Sequence, residues 1–225
     1  MVGDPEGFDR PALSRGLAQG CLQLDLFLTE RQQGQLLDYL SLLSKWNAVY
    51  NLTAIRKPKD MLSGHVLDSL TVVPLVRQLA PKSLLDVGSG AGLPGIPIAI
   101  AVPSIAVTLV DAVRKKVAFQ LQVKAELALP ITAIHARVEA LTIDKTFDCV
   151  ISRAFSDLKD LVWSSGGRVA PGGVLVAMKG LLPASEIEQL QREWNVRDVV
   201  NLSVPEMAAQ RCAVVLERAA ARATR

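Results

Sequence analysis

The sequence predicts an α/β protein: a seven-stranded mixed sheet, mostly parallel, behind an N-terminal helical extension. Three observations predict it. From Ser83 onward, short apolar strands alternate with helical segments, and that alternation implies parallel pairing with helices on both faces. The last two strands are joined only by VPEMAAQ, too short for a crossover helix, so one strand must run antiparallel in a hairpin. The first strand empties into a glycine-rich turn, LLDVGSGAGLPG, from Leu84 to Gly95.

Taken in order, residues 1–20 mix Gly, Pro and both charges and read as loosely ordered, with residues 1–28 a flexible extension. Thr29 can cap a helix, with Gln32 three positions later in capping-box spacing. Leu36, Leu37, Leu40 and Leu43 follow as one apolar stripe, and the helix ends near Trp46 and Asn47. The link AVYNLTAI leads to a second helix opened by Pro58, with Met61, Leu62, Val66 and Leu70 inward and Pro74 at its decline. These helices form a cap over 29–80; the α/β core runs 81–218, all within one domain. Its strands are expected at 83–87, 106–111, 131–136, 147–152, 173–178, 197–204 and 211–217, with helices at 95–102, 113–128, 157–169 and 184–194. The Ala/Arg-rich tail, Arg218 to Arg225, reads as frayed.

Composition narrows the functional classes. The 225 residues are half hydrophobic and 21% charged, enough for a substantial core. Aromatic residues are only 4%, which argues against a base-stacking platform as the main binding device. A net charge of +3 and a pI near 8.8 suit an anionic partner without requiring one. Cys21, Cys149 and Cys212 lie far apart and suggest neither a disulfide framework nor a zinc site, so a reduced cytoplasmic setting is expected. Asp4, Glu6 and Asp9 exclude a signal peptide. The longest apolar stretch, Gly95 to Val110, is broken by Pro97, Pro103 and Ser104 and is shorter than the ~20 residues a membrane span needs. A soluble protein without metal is the expectation.

The glycine turn carries the first chemistry. Gly88, Gly90, Gly92 and Gly95 lack a Cβ, so the main chain can take left-handed torsions and approach a ligand closely. Pro94 and Pro97 suit the first turn of the helix that follows. Asp86 ends the strand and favours a ligand with hydroxyls or positive charge over bare phosphate. Gly90-x-Gly92-x-x-Gly95 also satisfies a dinucleotide fingerprint, so both NAD and S-adenosylmethionine fit the spacing. The turn begins at Gly88, directly after Asp86-Val87, which favours S-adenosylmethionine. Asp111 ends the second strand, 23 positions after Gly88, where an acid can accept ribose hydroxyls of either ligand.

Further residues gather at later strand ends. Ala136-Arg137-Val138-Glu139 leaves the third strand where adenine is expected; Glu139 can read the adenine edge or simply cap a turn. Arg153 stands at the mouth of the fourth strand, FDCVISRAF, and can hold a carboxylate or phosphate in a bidentate way. An Asn-Pro-Pro-Tyr motif is absent there, which argues against methylation of exocyclic amines. His65 and Asp68, three apart on the second helix, share a face with Ser69 beside it, though a lone histidine is more often a satisfied core residue. Basic residues cluster at Arg56, Lys57 and Lys59 and at Arg114, Lys115 and Lys116, as a phosphate-tracking or merely solubilising surface. No nucleophilic triad and no metal cluster emerges.

Together these segments resemble the bacterial small-subunit ribosomal RNA methyltransferase G family, formerly glucose-inhibited division protein B. The likeness rests on Lys45-Trp46-Asn47, Tyr50 to Thr53, His65 with Leu67-Asp68-Ser69, Asp86 to Pro97, Arg137-Val138-Glu139, Ile151 to Phe155 and Lys179-Gly180, and spans about 30–217. It implies a class I S-adenosylmethionine-dependent methyltransferase (Rossmann-like) fold. It also implies methyl transfer from S-adenosylmethionine to N7 of the guanosine at position 527 of 16S rRNA, or of the small-subunit precursor. S-adenosylhomocysteine is the product, and no metal takes part. The resemblance places Gly88 and Leu93 around methionine and ribose, Val138 and Glu139 at adenine, and Arg153 near the methyl-transfer mouth. Asp86, Gly90, Gly92 and Asp111 complete the expected cofactor set, Arg153, His65 and Asp68 position the guanosine, and Lys179 joins the basic loops facing RNA. The first twenty residues lie outside the resemblance. A nicotinamide oxidoreductase and a non-catalytic RNA-binding factor are the rival readings.

Overall fold

A computed structural model describes residues 4–142, 145–153, 157–190, 193–208 and 210–219. Its sheet has seven strands: β1 (Ser83–Val87), β2 (Ala106–Asp111), β3 (Thr132–His135), β4 (Phe147–Ser152), β5 (Val169–Lys179), β6 (Trp194–Ser203) and β7 (Gln210–Arg218). They lie in the order β3-β2-β1-β4-β5-β7-β6. The strands from β3 across to β5 pair in parallel, while β7 runs antiparallel to both β5 and β6, as the short VPEMAAQ link requires.

Successive strand residues enter opposite layers. Leu84 packs into one hydrophobic cluster with Leu17, Leu40, Val76, Ile98 and Phe119; Leu85 packs into a second with Val138, Leu158, Leu161, Leu175 and Val214. Helices on both faces bury both sides of the sheet, which is why the central strands read as continuous apolar runs. Chain order reverses between β1 and its two neighbours β2 and β4, so a crevice opens beyond their carboxyl ends.

The N-terminal region is more ordered than expected. Instead of a loosely ordered start, residues Arg10–Gln23 form α1, capped by Asp9, whose carboxylate accepts the Ala12 N–H, with Pro11 in the first turn. Leu13, Leu17 and Cys21 are buried on its inner face, and a fully buried Leu contributes roughly 1.5–3 kcal/mol. Gly16 and Gly20 allow close approach: a Cβ on Gly20 would stand 2.6 Å from Leu67. The next helix, α2 (Glu30–Tyr50), begins at the expected Thr29–Gln32 capping box but continues past Trp46 and Asn47 to Tyr50, where Asn51 takes a left-handed cap.

The expected second helix is interrupted. After α3 (Pro58–Met61) comes one wide π turn, Leu62–Leu67, then α4 (Asp68–Leu70). Pro74 does not end this region; it sits in the first turn of α5 (Val73–Leu79), where its missing N–H costs nothing. Downstream, α6 (Gly95–Ala101), α7 (Arg114–Glu126) and α8 (Leu158–Ser165) match expectation within a few residues, a 3-10 turn over Gly166–Arg168 finishing the last. Two bounds differ more. β5 starts at Val169 rather than 173, and α9 (Ala184–Glu188) stops well before 194 because β6 already begins at Trp194. Ala154 and Phe155 of the FDCVISRAF segment, and residues 220–225 of the tail, lie outside the described residues.

Candidate active site

Two strand-end acids shape the glycine turn. Gly88, Gly90 and Gly92 have φ of +66°, +58° and +88°, torsions an L side chain resists. The N–H groups of Gly88 and Ser89 donate to Val110 O at 2.9 and 3.1 Å, fastening the turn to β2. Asp86 Oδ2 accepts the Gly95 N–H at 2.8 Å, and Asp111 accepts the Gly90 N–H on Oδ2 and the Val113 N–H on Oδ1, each at 2.8 Å. Gln120 donates to Ser89 Oγ and Gly90 O, and the buried Tyr39 hydroxyl donates to Ala91 O at 2.9 Å, tying α7 and the helical cap to the same loop.

This cradle fits a nucleoside bearing a positive charge. Gly88 and Gly90 are half-buried, and a Cβ on Gly90 would meet nothing nearer than Gly88 O at 4.0 Å. Beneath it, Asp86 Oδ1 is a buried acceptor without a donor among the described residues. Burial pushes the Asp86 carboxyl up to about 7, opposed by the Gly95 N–H bond and the Arg153 charge and reinforced by Asp111. A carboxyl raised in the native state binds more protons there than when unfolded. Its contribution to stability is therefore full below about pH 4 and is lost as pH rises through about 7. Urea unfolding of Asp86→Asn across pH 4–8 is expected to gain on the parent protein as pH rises through this window; a constant difference would place Asp86 in a more solvated setting.

Where β3 ends, Ala136 N–H donates to Asp111 O at 3.2 Å, bringing the third loop beside the turn. Val138 there is buried and starts a 3-10 turn whose N-cap is Arg137, so Glu139 is not the cap; it is exposed. Leu93 is buried within the glycine turn, its N–H on Ser89 O at 2.8 Å.

The β4 exit builds the second half of the site. Ser152 Oγ donates to Val87 O at 2.8 Å, locking this exit to the end of β1. Arg153 donates one Nη1 to Asp68 Oδ2 at 2.8 Å and to Gly64 O at 3.2 Å, a carbonyl that the π turn presents. Asp68 is buried and takes a second guanidinium on its other oxygen, Arg211 Nε at 3.1 Å. His65 is buried: Nε2 meets Thr53 Oγ1 at 2.8 Å and Nδ1 lies 3.0 Å from Gly64 O. Burial and the Arg153 charge push it down to about 4, so it is neutral at pH 7. Both of its ring nitrogens are engaged, and it lines the same cleft. Lys179 reaches this cleft too, its Nζ 2.8 Å from Glu186 Oε2. The cleft, about 390 Å³, lies among the π turn, the end of β5, the β4 exit and the start of β7.

The expected basic loops are drawn together only partly. Lys115 Nζ donates to Tyr50 O at 2.7 Å, and Arg56 donates to Asn51 Oδ1 at 2.7 Å, so the end of α2 and the start of α7 adjoin. Arg114 and Lys57 are exposed, Lys116 lies 3.9 Å from Asp111, and Lys59 instead borders a cavity against α1. Sequence reasoning did not single out Arg211, Gly64, Gln120 or Tyr39. Among the described residues no group of three or more His, Cys, Asp or Glu could hold a metal ion, and no helix is long and apolar enough to cross a membrane.

The sheet order, the glycine cradle and the crevice at the β1 switch point define a class I S-adenosylmethionine-dependent methyltransferase. Solved structures share that fold. A putative class I S-adenosylmethionine-dependent methyltransferase from Listeria monocytogenes aligns with a TM-score of 0.64 at 14% identity, covering 88% of this chain and 71% of its own. A methyltransferase from Thiobacillus denitrificans, solved with S-adenosyl-L-homocysteine, aligns at 0.53 and 13% identity, covering 68% and 91%. In sequence, the family model of rRNA small subunit methyltransferase G matches residues 32–215. The Ribosomal RNA small subunit methyltransferase G of Burkholderia cenocepacia is 50% identical over 208 residues, 90% of this chain and 91% of that protein. The corresponding protein of Burkholderia multivorans is 48% identical over the same shares. The chain belongs to the rRNA small subunit methyltransferase G family. That membership decides the ambiguous glycine spacing for S-adenosylmethionine over NAD.

Proposed function

We propose that this protein methylates N7 of the guanosine at position 527 of 16S rRNA, in the cytoplasm, from S-adenosylmethionine held in the glycine turn. One observation carries the division of labour: Ser152 locks the β4 exit to the end of β1 beside the cradle, and the adjoining Arg153 is bonded to Asp68 and Gly64 at the cleft. When bound, S-adenosylmethionine supplies a methyl on a positively charged sulfur, which guanine N7 can take with its in-plane lone pair, having no proton to lose. Gly88, Gly90, Gly92, Leu93 and Asp86 would hold the cofactor's methionine and ribose end, with Val138 and Glu139 toward adenine. Asp111 accepts the Gly90 and Val113 amides, holding the cradle's shape, and its remaining lone pairs would be available to ribose hydroxyls.

The side chains around the cleft suit that reaction. Neutral His65, engaged at both ring nitrogens, is not called upon as a base. Arg153 cannot be deprotonated and serves to orient the target, and orientation alone can supply ~7–11 kcal/mol. The methylated guanine carries a positive charge. Asp68 and Glu186 offset two of the three surrounding positive charges of Arg153, Arg211 and Lys179. The test is transfer of tritiated methyl to 16S rRNA, offered naked and as assembled subunit, with calorimetric titration of S-adenosylmethionine and NAD. Label at position 527 and heat only with S-adenosylmethionine are expected; heat only with NAD, or label elsewhere, would overturn the reading.

A further inference from the structure

Asp68 is one carboxylate serving two guanidiniums. Its Oδ2 takes Arg153 Nη1 at 2.8 Å and its Oδ1 takes Arg211 Nε at 3.1 Å. The Asp68 side chain is 4% exposed, whereas those of Arg153 and Arg211 are 23% and 30% exposed. Buried charge is tolerated when paired, and like charges are brought together only at a cost. Here two positive charges share one negative, so the trio keeps one positive charge in excess at the rim of a cleft. Lys179 adds no excess, because Glu186 lies 2.8 Å away. Each guanidinium has five N–H donors in a rigid fork, and Asp68 and the neighbouring carbonyls use only part of them. Arg211 engages Asp68 through Nε and Gln210 O through Nη1, and its Nη2 makes no hydrogen bond or ion pair among the described residues.

The fold fixes this arrangement from four directions. Arg153 leaves β4, Arg211 opens β7, and Asp68 follows the π turn, with Lys179 at the end of β5. Because β7 is antiparallel, its first residues arrive at the same end of the sheet as the last residues of β5: Lys179 pairs in register with Cys212, next to Arg211. Asp68 and Arg211 are 143 residues apart, and the β6–β7 hairpin brings Arg211 to the short helix that carries Asp68.

We infer that Arg211 is a positioning residue for methyl transfer: held by Asp68 beside Arg153, it grips an RNA phosphate next to the target guanosine. Phosphate is the chemistry that matches, since a planar fork with donors left over and a single net positive charge suits a tetrahedral anion. The inference rests on the RNA methyltransferase reading above, and the unmodified protein run alongside separates the two. If the parent protein does not label 16S rRNA, that reading fails; if it does and Arg211 proves silent, only this inference fails.

The experiment is steady-state methylation of assembled small subunits at several salt concentrations, with Arg211→Ala and Arg211→Lys beside the parent. Arg211→Ala is expected to raise KM for the subunit about tenfold, the loss of one charge-assisted hydrogen bond, with a smaller effect on kcat. It should also shallow the dependence of log KM on log salt by about one, the mark of a lost phosphate contact that a structural defect would not produce. Arg211→Lys, which keeps the charge, should restore most of the salt dependence. Calorimetry with S-adenosylmethionine should give parent affinity for both variants. An unchanged salt dependence in Arg211→Ala, or an equal fall in cofactor affinity, would overturn the inference.

Discussion

Arg153→Ala is expected to lower methyl incorporation at least 100-fold while leaving the protein folded. The side chain holds two partners that no smaller residue can reach together, Asp68 at 2.8 Å and the Gly64 carbonyl at 3.2 Å. Removing it frees the edge of the cleft where the guanine must meet the methyl group. Misplacement by about 1 Å can by itself cost 10²-fold. Stability should fall far less than for most broken buried pairs, because Asp68 keeps Arg211 as a partner. Arg153→Lys should recover little, since an ammonium cannot reproduce the planar fork. The readouts are tritium transfer to the small subunit and the thermal unfolding midpoint. Parent-like turnover by Arg153→Ala would remove the residue from the site.

Gly92→Ala is expected to destabilise the protein by about 2–4 kcal/mol and to abolish cofactor binding. Its φ of +88° penalises any side chain, and a Cβ there would overlap the fully buried Ile96 side chain. Gly90→Ala makes the instructive contrast. Its φ is also positive, but the new methyl points into open space, so the strain is only about 1 kcal/mol. That space is the cradle itself. Urea denaturation should therefore show Gly90→Ala nearly as stable as the parent, while calorimetry with S-adenosylmethionine shows binding lost. Tight binding by Gly90→Ala would mean that the ligand lies elsewhere.

Much of the fold was legible because each cue is local. The capping box at Thr29–Gln32, the strand–helix alternation after Ser83 and the short link before β7 all act within a few residues. The first helix carried its own signal: Leu13, Leu17, Gly20 and Cys21 are spaced for one face behind an Asp9 cap, but Gly16, Gly20 and Pro11 read as loop formers. Those glycines instead permit close packing on the π turn. The π turn has no comparable cue, since nothing in LSGHVL distinguishes a five-residue repeat from an ordinary helical turn.

The site divides in the same way. Asp86, Gly88, Gly90, Gly92 and Asp111 could be picked out because one turn and one strand end bring them together. What could not be read was which hydrogen bonds the acids make: both clamp backbone amides, and Asp86 is fully buried with one oxygen left without a donor among the described residues. Arg211 was hidden for another reason. An arginine at the start of an outer strand looks like any surface residue until register sets it against Asp68.

The β6–β7 hairpin meets the rest of the sheet through a single seam, β7 on β5, whereas the glycine cradle is held by β1, β2 and the helices against them. A substitution that shifts that seam would move Arg211 relative to its carboxylate while leaving the backbone bonds of the nucleoside pocket untouched. Arg211 and the nucleoside cradle therefore depend on different strand pairings.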